Sequence, residues 1–118
     1  MGTGFHDLQV WREAKALAVT IYTTTANLRD LSLRDQMRRA AVSVSSNIAE
    51  GDERDTDKDS IRFFYMAKGS LAELCTQIEI AQEVGLIPPQ TVESILSQAT
   101  LIGRKLGALI KARTPHVP

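Results

Sequence analysis

The residues that could carry catalysis or bind a metal are few and far apart along the chain. The histidines are His6 and His116, and the only cysteine is Cys75. Di-iron sites in helical bundles take a Glu-x-x-His motif from each of two helices, and histidines at the chain ends supply no such motif. Phosphate-binding glycine loops and zinc-ligand spacings are also absent from the sequence. We therefore predict a protein that is not an enzyme and holds no metal or cofactor.

Cys75 is the remaining nucleophile. It has no histidine near it in sequence and lies beside the apolar stripe of a predicted helix, which favours a packed, inert thiol over a reactive one. A single cysteine cannot form a disulfide framework, which is typical of a reducing cytosol. The sequence shows no secretion signal and no apolar run of the roughly 18 residues that a membrane span requires. These features predict a cytoplasmic protein without a membrane partner.

Basic side chains form two groups that could contact the phosphates of RNA or DNA. They stand at the start of the second predicted helix and near the end of the fourth, and their members are Arg34, Arg38, Arg39, Arg104, Lys105, Lys111 and Arg113. Fourteen basic and fourteen acidic residues give zero net charge, so the whole chain has no overall attraction for nucleic acid. Adjacent helical residues point about 100° apart. We therefore expect either Arg38 or Arg39 to be structural, and the group on the fourth helix to be the better candidate.

Charge is unevenly distributed along the chain. Residues 50–59 contain six acids and two bases, whereas the segment after Glu93 contains four Lys or Arg residues and no acid. This asymmetry fits a solvated acidic loop together with cations that complement the C-terminal end of a helix dipole. It also predicts a molecule with oppositely charged regions.

A polar group in the second predicted helix has the spacing of a structural network. Asn47 and Glu50 are three residues apart and so lie on one side of the helix. A buried Asn needs hydrogen-bond partners, which Ser70 or Glu73 of the third helix could provide. We predict a structural polar network of these four residues, with a ligand-binding site as the alternative.

Hydrophobic periodicity predicts the helices that must position these groups. Apolar residues recur at three- and four-residue spacing, and the predicted helices cover residues 8–27, 33–50, 57–84 and 89–112. Sustained period-two alternation is absent and the connections are short. We therefore predict an all-α, antiparallel up-and-down four-helix bundle formed as one domain by residues 1–118, with a frayed tail from Thr114 to Pro118.

Capping residues mark the predicted helix ends. At the helix starts they are Asp7, the capping-box pair Ser32 and Asp35, Thr56 or Asp57, and Pro88-Pro89. Gly51 is predicted to be a left-handed stop for the second helix. Gly85 followed by Leu86 is predicted to end the third helix as a Schellman motif.

The middle of the second helix is unusual because it carries no charge. Residues 40–49, AAVSVSSNIA, place small and apolar side chains around the whole circumference, whereas a helix in a monomeric bundle normally has a polar or charged face. We predict that one face packs in the bundle and another packs against a second chain. Gly69-Ser70 of the third helix is a matching small patch, for which close packing is the expected reason. In the alternative interpretation, the serines form an ordinary solvated face.

Three blocks of the sequence resemble a known family. They are residues 5–11 (FHDLQVW) with Ala14, residues 36–51 with the pattern QxRRAAVSVxSNIAEG, and residues 67–77 with the pattern AxGSLxELxTQ. With these blocks the chain is similar to the four-helix-bundle proteins encoded in 23S rRNA intervening sequences. The similarity covers the first three helices well, whereas the fourth shares only the apolar pattern. Ser45 stands where many relatives have proline, which weakens the expectation of a kink in the second helix.

The resemblance implies self-assembly and suggests two classes of function. Members of the family form ring-like homopentamers of antiparallel bundles, and most have no established activity. A related branch is the accessory protein of diversity-generating retroelements, which is strongly basic and works with nucleic acid and a reverse transcriptase; that positive charge is missing here. We expect a non-catalytic homo-oligomeric scaffold, with a pentamer as the implied form. The alternative is an RNA- or DNA-binding accessory protein that uses the basic ends of the second and fourth helices.

Overall fold

The computed structural model describes residues 4–115, which form four long helices. A 3-10 turn, Gly4–Asp7, precedes α1 (Gln9–Thr24), α2 (Leu31–Asp52), α3 (Asp57–Glu83) and α4 (Pro89–Arg113). Each helix packs against its neighbours in sequence, and α4 packs back against α1, so the helices follow one another around an elongated bundle of 51 × 30 × 21 Å. This is the predicted all-α bundle. No helix within the described residues is both long and apolar enough to cross a bilayer.

The caps of α2 and α3 show which polar residues begin these helices. The N-cap of α2 is Asp30, whose Oδ1 accepts a hydrogen bond from the backbone N–H of Leu33 at 2.9 Å. The helix therefore begins before residue 33, and the predicted capping box of Ser32 and Asp35 is wrong. For α3 the cap is Thr56, whose Oγ1 accepts from the Asp59 N–H at 3.2 Å.

The ends of α1 also differ from the prediction. Its N-cap is Leu8, which makes no side-chain capping bond, whereas Asp7 belongs to the preceding 3-10 turn. The helix ends at Thr24 rather than at residue 27. Thr25 follows as the C-cap, and its backbone N–H and its buried hydroxyl both donate to the carbonyl of Ile21, at 3.0 and 2.6 Å.

Gly51 does not stop α2, contrary to the prediction. The helix continues to Asp52, and positive φ angles occur, among the described glycines, only at Gly4 and Gly85. A Cβ at Gly51 would lie 2.6 Å from the Phe64 ring and 3.0 Å from the backbone oxygen of Ser60. The missing side chain therefore serves the close approach of α3 rather than a turn.

The connection between α3 and α4 has the predicted Schellman geometry. Gly85 has a φ of 78°, and its N–H donates to the carbonyl of Gln82 at 3.0 Å. The Leu86 N–H donates to the carbonyl of Ala81 at 2.8 Å, which completes the motif. Pro88-Pro89 then opens α4, with the second proline in the first helical turn.

The core is one continuous cluster to which all four helices contribute. The α2/α3 seam is the most extensively packed and the α1/α4 seam the least. Toward the core α2 presents many small residues, such as Ala40, Ala41 and Val44, whereas α3 contributes larger ones, such as Phe64 and Leu74. Small side chains on one helix and large ones on the next let the two backbones lie close together.

Replacement of Gly51 by valine should lower the free energy of unfolding by about 1–3 kcal/mol, the usual cost of overpacking a core. The new side chain would clash with the Phe64 ring and the Ser60 backbone. Gly107→Val is the matched control, because a Cβ at helical Gly107 meets no atom within 4 Å. Urea denaturation compares the two variants. Equal stability of the variants would contradict the packing role of Gly51.

Candidate interaction surfaces

Three polar side chains connect α2 to α3 in a serine–asparagine network. Ser43 Oγ and Ser70 Oγ lie 2.9 Å apart. Asn47 Nδ2 donates to the Ser43 carbonyl at 2.9 Å and to Ser43 Oγ at 3.0 Å. All three residues are partly buried. The network therefore links the predicted members Asn47 and Ser70, but the link runs through Ser43, which the sequence reasoning missed.

Glu50 and Glu73 lie outside the serine–asparagine network, which corrects its predicted membership. Both residues are exposed. Glu50 Oε2 instead accepts a hydrogen bond from Arg54 Nη2 at 3.1 Å, one helical turn away. Glu73 makes no side-chain hydrogen bond within residues 4–115. Because burying an ionised carboxylate costs far more than burying a hydroxyl, the seam between α2 and α3 is bridged by serines while the acids stay in water.

The uncharged stretch of α2 has one buried face and one exposed face. Ala40, Val44 and Ile48 are fully buried, whereas Val42 is 40% exposed and Ser46 also faces solvent. An apolar side chain in water is unremarkable by itself. The relevant feature is that two helical turns of the outer surface of α2 lack any charge.

A matching uncharged surface lies beside it on α3. Tyr65 is 57% exposed, Met66 is 46% exposed, and a Cβ at Gly69 would meet no atom within 4 Å. The glycine was predicted to permit close packing, and within this chain it contacts no neighbouring helix. We call the surface formed by Val42, Ser46, Tyr65, Met66 and Gly69 the α2/α3 face.

A second surface, uncharged except for Glu13, which pairs with Lys105, lies on the opposite side of the bundle, between α1 and α4. A groove of about 190 Å³ is lined there by Glu13, Ala16, Thr20, Gln98, Leu101 and Ile102. Leu101 is 46% exposed, and Val19, on the adjoining surface of α1, is 59% exposed. We call the surface formed by Ala16, Val19, Thr20, Gln98 and Leu101 the α1/α4 face. Sequence reasoning missed it, although residues 16–28 and 94–103 lack charge just as residues 40–49 do.

Four of the seven predicted phosphate-contacting cations are engaged within the chain. Arg38 is described below, and the other three form the ion pairs Arg34 with Asp35, Lys105 with Glu13, and Arg113 with Asp52. Arg39, Arg104 and Lys111 are exposed and form no ion pair with any described residue. The structure therefore leaves three of the predicted cations for an external partner.

Arg38 joins the end of α1 to α2. Its Nε donates to Thr25 Oγ1 at 3.0 Å, its Nη2 donates to the Tyr22 carbonyl at 3.2 Å, and the guanidinium lies 4.5 Å from the centre of the Tyr22 ring. A cation at this position complements the negative end of the α1 dipole. Arg38 is thus the structural member of the arginine pair, and Arg39 is the solvent-facing one.

The side chains considered above as candidates for catalysis are Cys75 and the two histidines. Burial, and secondarily the Glu79 carboxylate, raise the pKa of the Cys75 thiol, so at neutral pH it stays protonated and weakly nucleophilic. His6 stacks on Phe5 at the start of the chain, and His116 lies outside the described residues, as does the tail from residue 116. No group of three His, Cys, Asp or Glu side chains within residues 4–115 is arranged to hold a metal ion.

Comparisons with known proteins agree with this architecture. A family model described as 23S rRNA-intervening sequence protein matches residues 6–108. A solved structure with a similar fold is a protein of unknown function from the S23 ribosomal protein family of Bacteroides thetaiotaomicron VPI-5482. It has 23% sequence identity and a TM-score of 0.82, and the match covers 86% of this chain and 98% of that one. No curated protein matches the sequence.

Replacement of Arg38 by glutamine should destabilise the protein by about 1–3 kcal/mol, because charged hydrogen bonds to Thr25 and Tyr22 are lost. Arg39→Gln is the matched control and should change stability by less than about 0.5 kcal/mol, as is usual for a surface substitution. Thermal unfolding at fixed protein concentration measures both. Equal effects of the two substitutions would contradict the structural role of Arg38.

Proposed function

The chain belongs to the 23S rRNA-intervening sequence protein family, and from that membership and its uncharged outer surface we propose that it is a non-catalytic, homo-oligomeric scaffold. The α2/α3 face is the observation that supports this proposal. The description of the family names no activity, and the similar solved structure is of a protein of unknown function. The proposal therefore rests on what the surface of this chain can bind.

The α2/α3 face has the properties of a contact between close-packed helices. Val42, Tyr65 and Met66 expose apolar side chains, and Gly69 leaves the backbone of α3 open between them. Glycine inside a helix costs up to about 1 kcal/mol relative to alanine, and no contact within the chain explains that cost at Gly69. Approach of a helix from a second copy would use the open backbone and remove the apolar side chains from water.

A closed ring is the form of assembly that we propose, with five subunits by resemblance to the family. Rings with cyclic symmetry are a common outcome when identical chains associate. A bundle only 21 Å across its thinnest dimension has a large surface relative to its core, so assembly would add buried area that the single chain lacks. The scaffold would then present its helix ends and loops in several identical copies.

The cations that are free of ion pairs support nucleic acid binding as a second candidate function. Arg104 and Lys111 are seven residues apart and therefore lie along one side of α4, and both are exposed, as is Arg39 on α2. Few phosphate contacts per subunit give weak binding. A ring in which these cations stay exposed would repeat them on every subunit and convert weak contacts into useful avidity.

Gly69→Glu should dissociate the assembly without destabilising the fold. In a single chain the new side chain meets open space. Because the substitution also replaces a glycine inside a helix, the free energy of unfolding should be unchanged or raised by up to about 1 kcal/mol. In the assembly it would place a charge between packed helices. Light scattering should therefore show a fall from the wild-type mass to the 13.0 kDa of one chain.

Ala26→Glu is the control for this substitution, because Ala26 is exposed in the turn between α1 and α2 and lies outside the α2/α3 face and away from the basic side chains of α4. The control should keep the wild-type mass. A Gly69→Glu protein that retains the wild-type mass would contradict the proposed contact.

Nucleic acid binding is tested by changing Arg39, Arg104 and Lys111 together to glutamine. Wild type should retain structured RNA at about 50 mM salt and lose most of it at about 200 mM, because binding through phosphates releases counterions. The triple variant should retain less RNA at low salt. A variant with Arg29, Lys58 and Arg62 changed to glutamine is the charge-matched control. Absence of wild-type retention at low salt, or an equal loss in the control, would exclude this candidate.

A further inference from the structure

We propose that the α1/α4 face receives the α2/α3 face of a second copy of this chain, so that every subunit contributes two different surfaces to one repeated contact. The inference rests on the proposed homo-oligomeric function and adds the identity of the surface that completes it. Three observations support it: the positions of the two faces, their shapes and their charges.

The two faces lie on opposite sides of the bundle. Packing runs from α1 to α2, α3 and α4 and back to α1, so the α2/α3 seam is across the bundle from the α4/α1 seam. They also lie at similar heights. Arg38 contacts Tyr22, and one turn further along α2 is Val42, while one turn back along antiparallel α1 is Val19. Two different patches at one height allow a head-to-tail contact, which closes into a ring when each subunit is rotated relative to the one before it.

The shapes of the two faces are complementary. The α1/α4 face is a groove lined mainly by small and apolar residues, whereas the α2/α3 face presents the projecting side chains of Val42, Tyr65 and Met66.

The charges at the end of the bundle match across such a contact. The ion pair between Arg113 and Asp52 shows that the C-terminal ends of α4 and α2 lie at the same end. At that end the connection after α2 exposes Glu53, Asp55 and Asp57 without ion pairs to other described residues, whereas the last turns of α4 expose Lys111. Arg104 is exposed about 10 Å further back along α4. Rotation about an axis along the bundle keeps equivalent ends together, so the acidic side of one subunit would meet the basic side of the next.

Self-pairing of the α2/α3 face fits these observations less well. A twofold axis along the bundle would bring Glu53 and Asp55 of one subunit against the same acids of the other, and like charges opposite one another are unfavourable. It would also leave the α1/α4 groove uncovered. The contact between two different faces covers both surfaces and pairs opposite charges.

The test uses two variants, each with one face blocked. Ala16→Glu with Leu101→Glu blocks the α1/α4 face, and Val42→Glu with Ser46→Glu blocks the α2/α3 face; all four positions are exposed, so circular dichroism should show wild-type helix content. Each variant alone should be a monomer, since no complete contact remains. An equimolar mixture should form a heterodimer of twice the 13.0 kDa chain mass and nothing larger, because one intact contact remains per pair.

The outcomes separate this inference from the proposed function. A wild-type monomer would overturn both. If wild type assembles but the Ala16→Glu, Leu101→Glu protein keeps the wild-type mass, or if the mixture stays monomeric, only the inference is overturned. Should that pair of substitutions prevent folding, Thr20→Glu with Gln98→Glu blocks the same groove and takes its place.

Charge reversal provides a second, independent test of the proposed contact. Arg104→Glu with Lys111→Glu should weaken assembly roughly tenfold at low salt, the effect of losing two exposed ion pairs. Adding Glu53→Lys and Asp55→Lys should restore it, because the pairs are re-formed with opposite polarity. An equal or greater loss in the fourfold variant would contradict the charge-matched contact.

Discussion

The close packing of α2 on α3 is the contact on which the rest of the molecule depends. Gly51 admits the Phe64 ring at a distance that leaves no room for a side chain, and the Ser43–Ser70 hydrogen bond spans the same seam two turns away. Such an approach requires small residues on α2, and small residues bury little apolar area. The outer side of the same stretch of α2, at Val42 and Ser46, also carries no charge. The proposed assembly follows from this surface.

Hydrophobic periodicity predicted the number, order and class of the helices because one apolar stripe per helix is enough to specify a bundle. The local signals were more ambiguous. Glycine either ends a helix or admits a close neighbour, and only the contact with Phe64 decides for Gly51. Helical spacing likewise places Asn47 and Glu50 on one side, but it does not show which of them turns toward α3. The result, with Ser43 in the network and Glu50 in water, depends on how α2 is rotated in the bundle.

Some of the basic side chains stabilise the fold, and others remain exposed to solvent. Arg38 and Arg113 hold helix ends together, and Lys105 joins α4 to α1, so most of the apparent phosphate-binding groups are already satisfied. The remaining cations on α4, Arg104 and Lys111, cannot serve an acidic neighbour and a phosphate at the same time. The proposed nucleic acid binding and the proposed head-to-tail contact would therefore compete for them. The opposite charges at one end of the bundle favour the contact.

The mass of the unmodified chain in solution tests the central claim most directly, because we propose self-association as the reason for the uncharged outer surface on both sides of this slender bundle. Sedimentation equilibrium at several micromolar concentrations measures that mass without depending on molecular shape. The account predicts an integer multiple of 13.0 kDa, five by resemblance to the family, that stays constant over the concentration range. A mass of one chain at every concentration would contradict it.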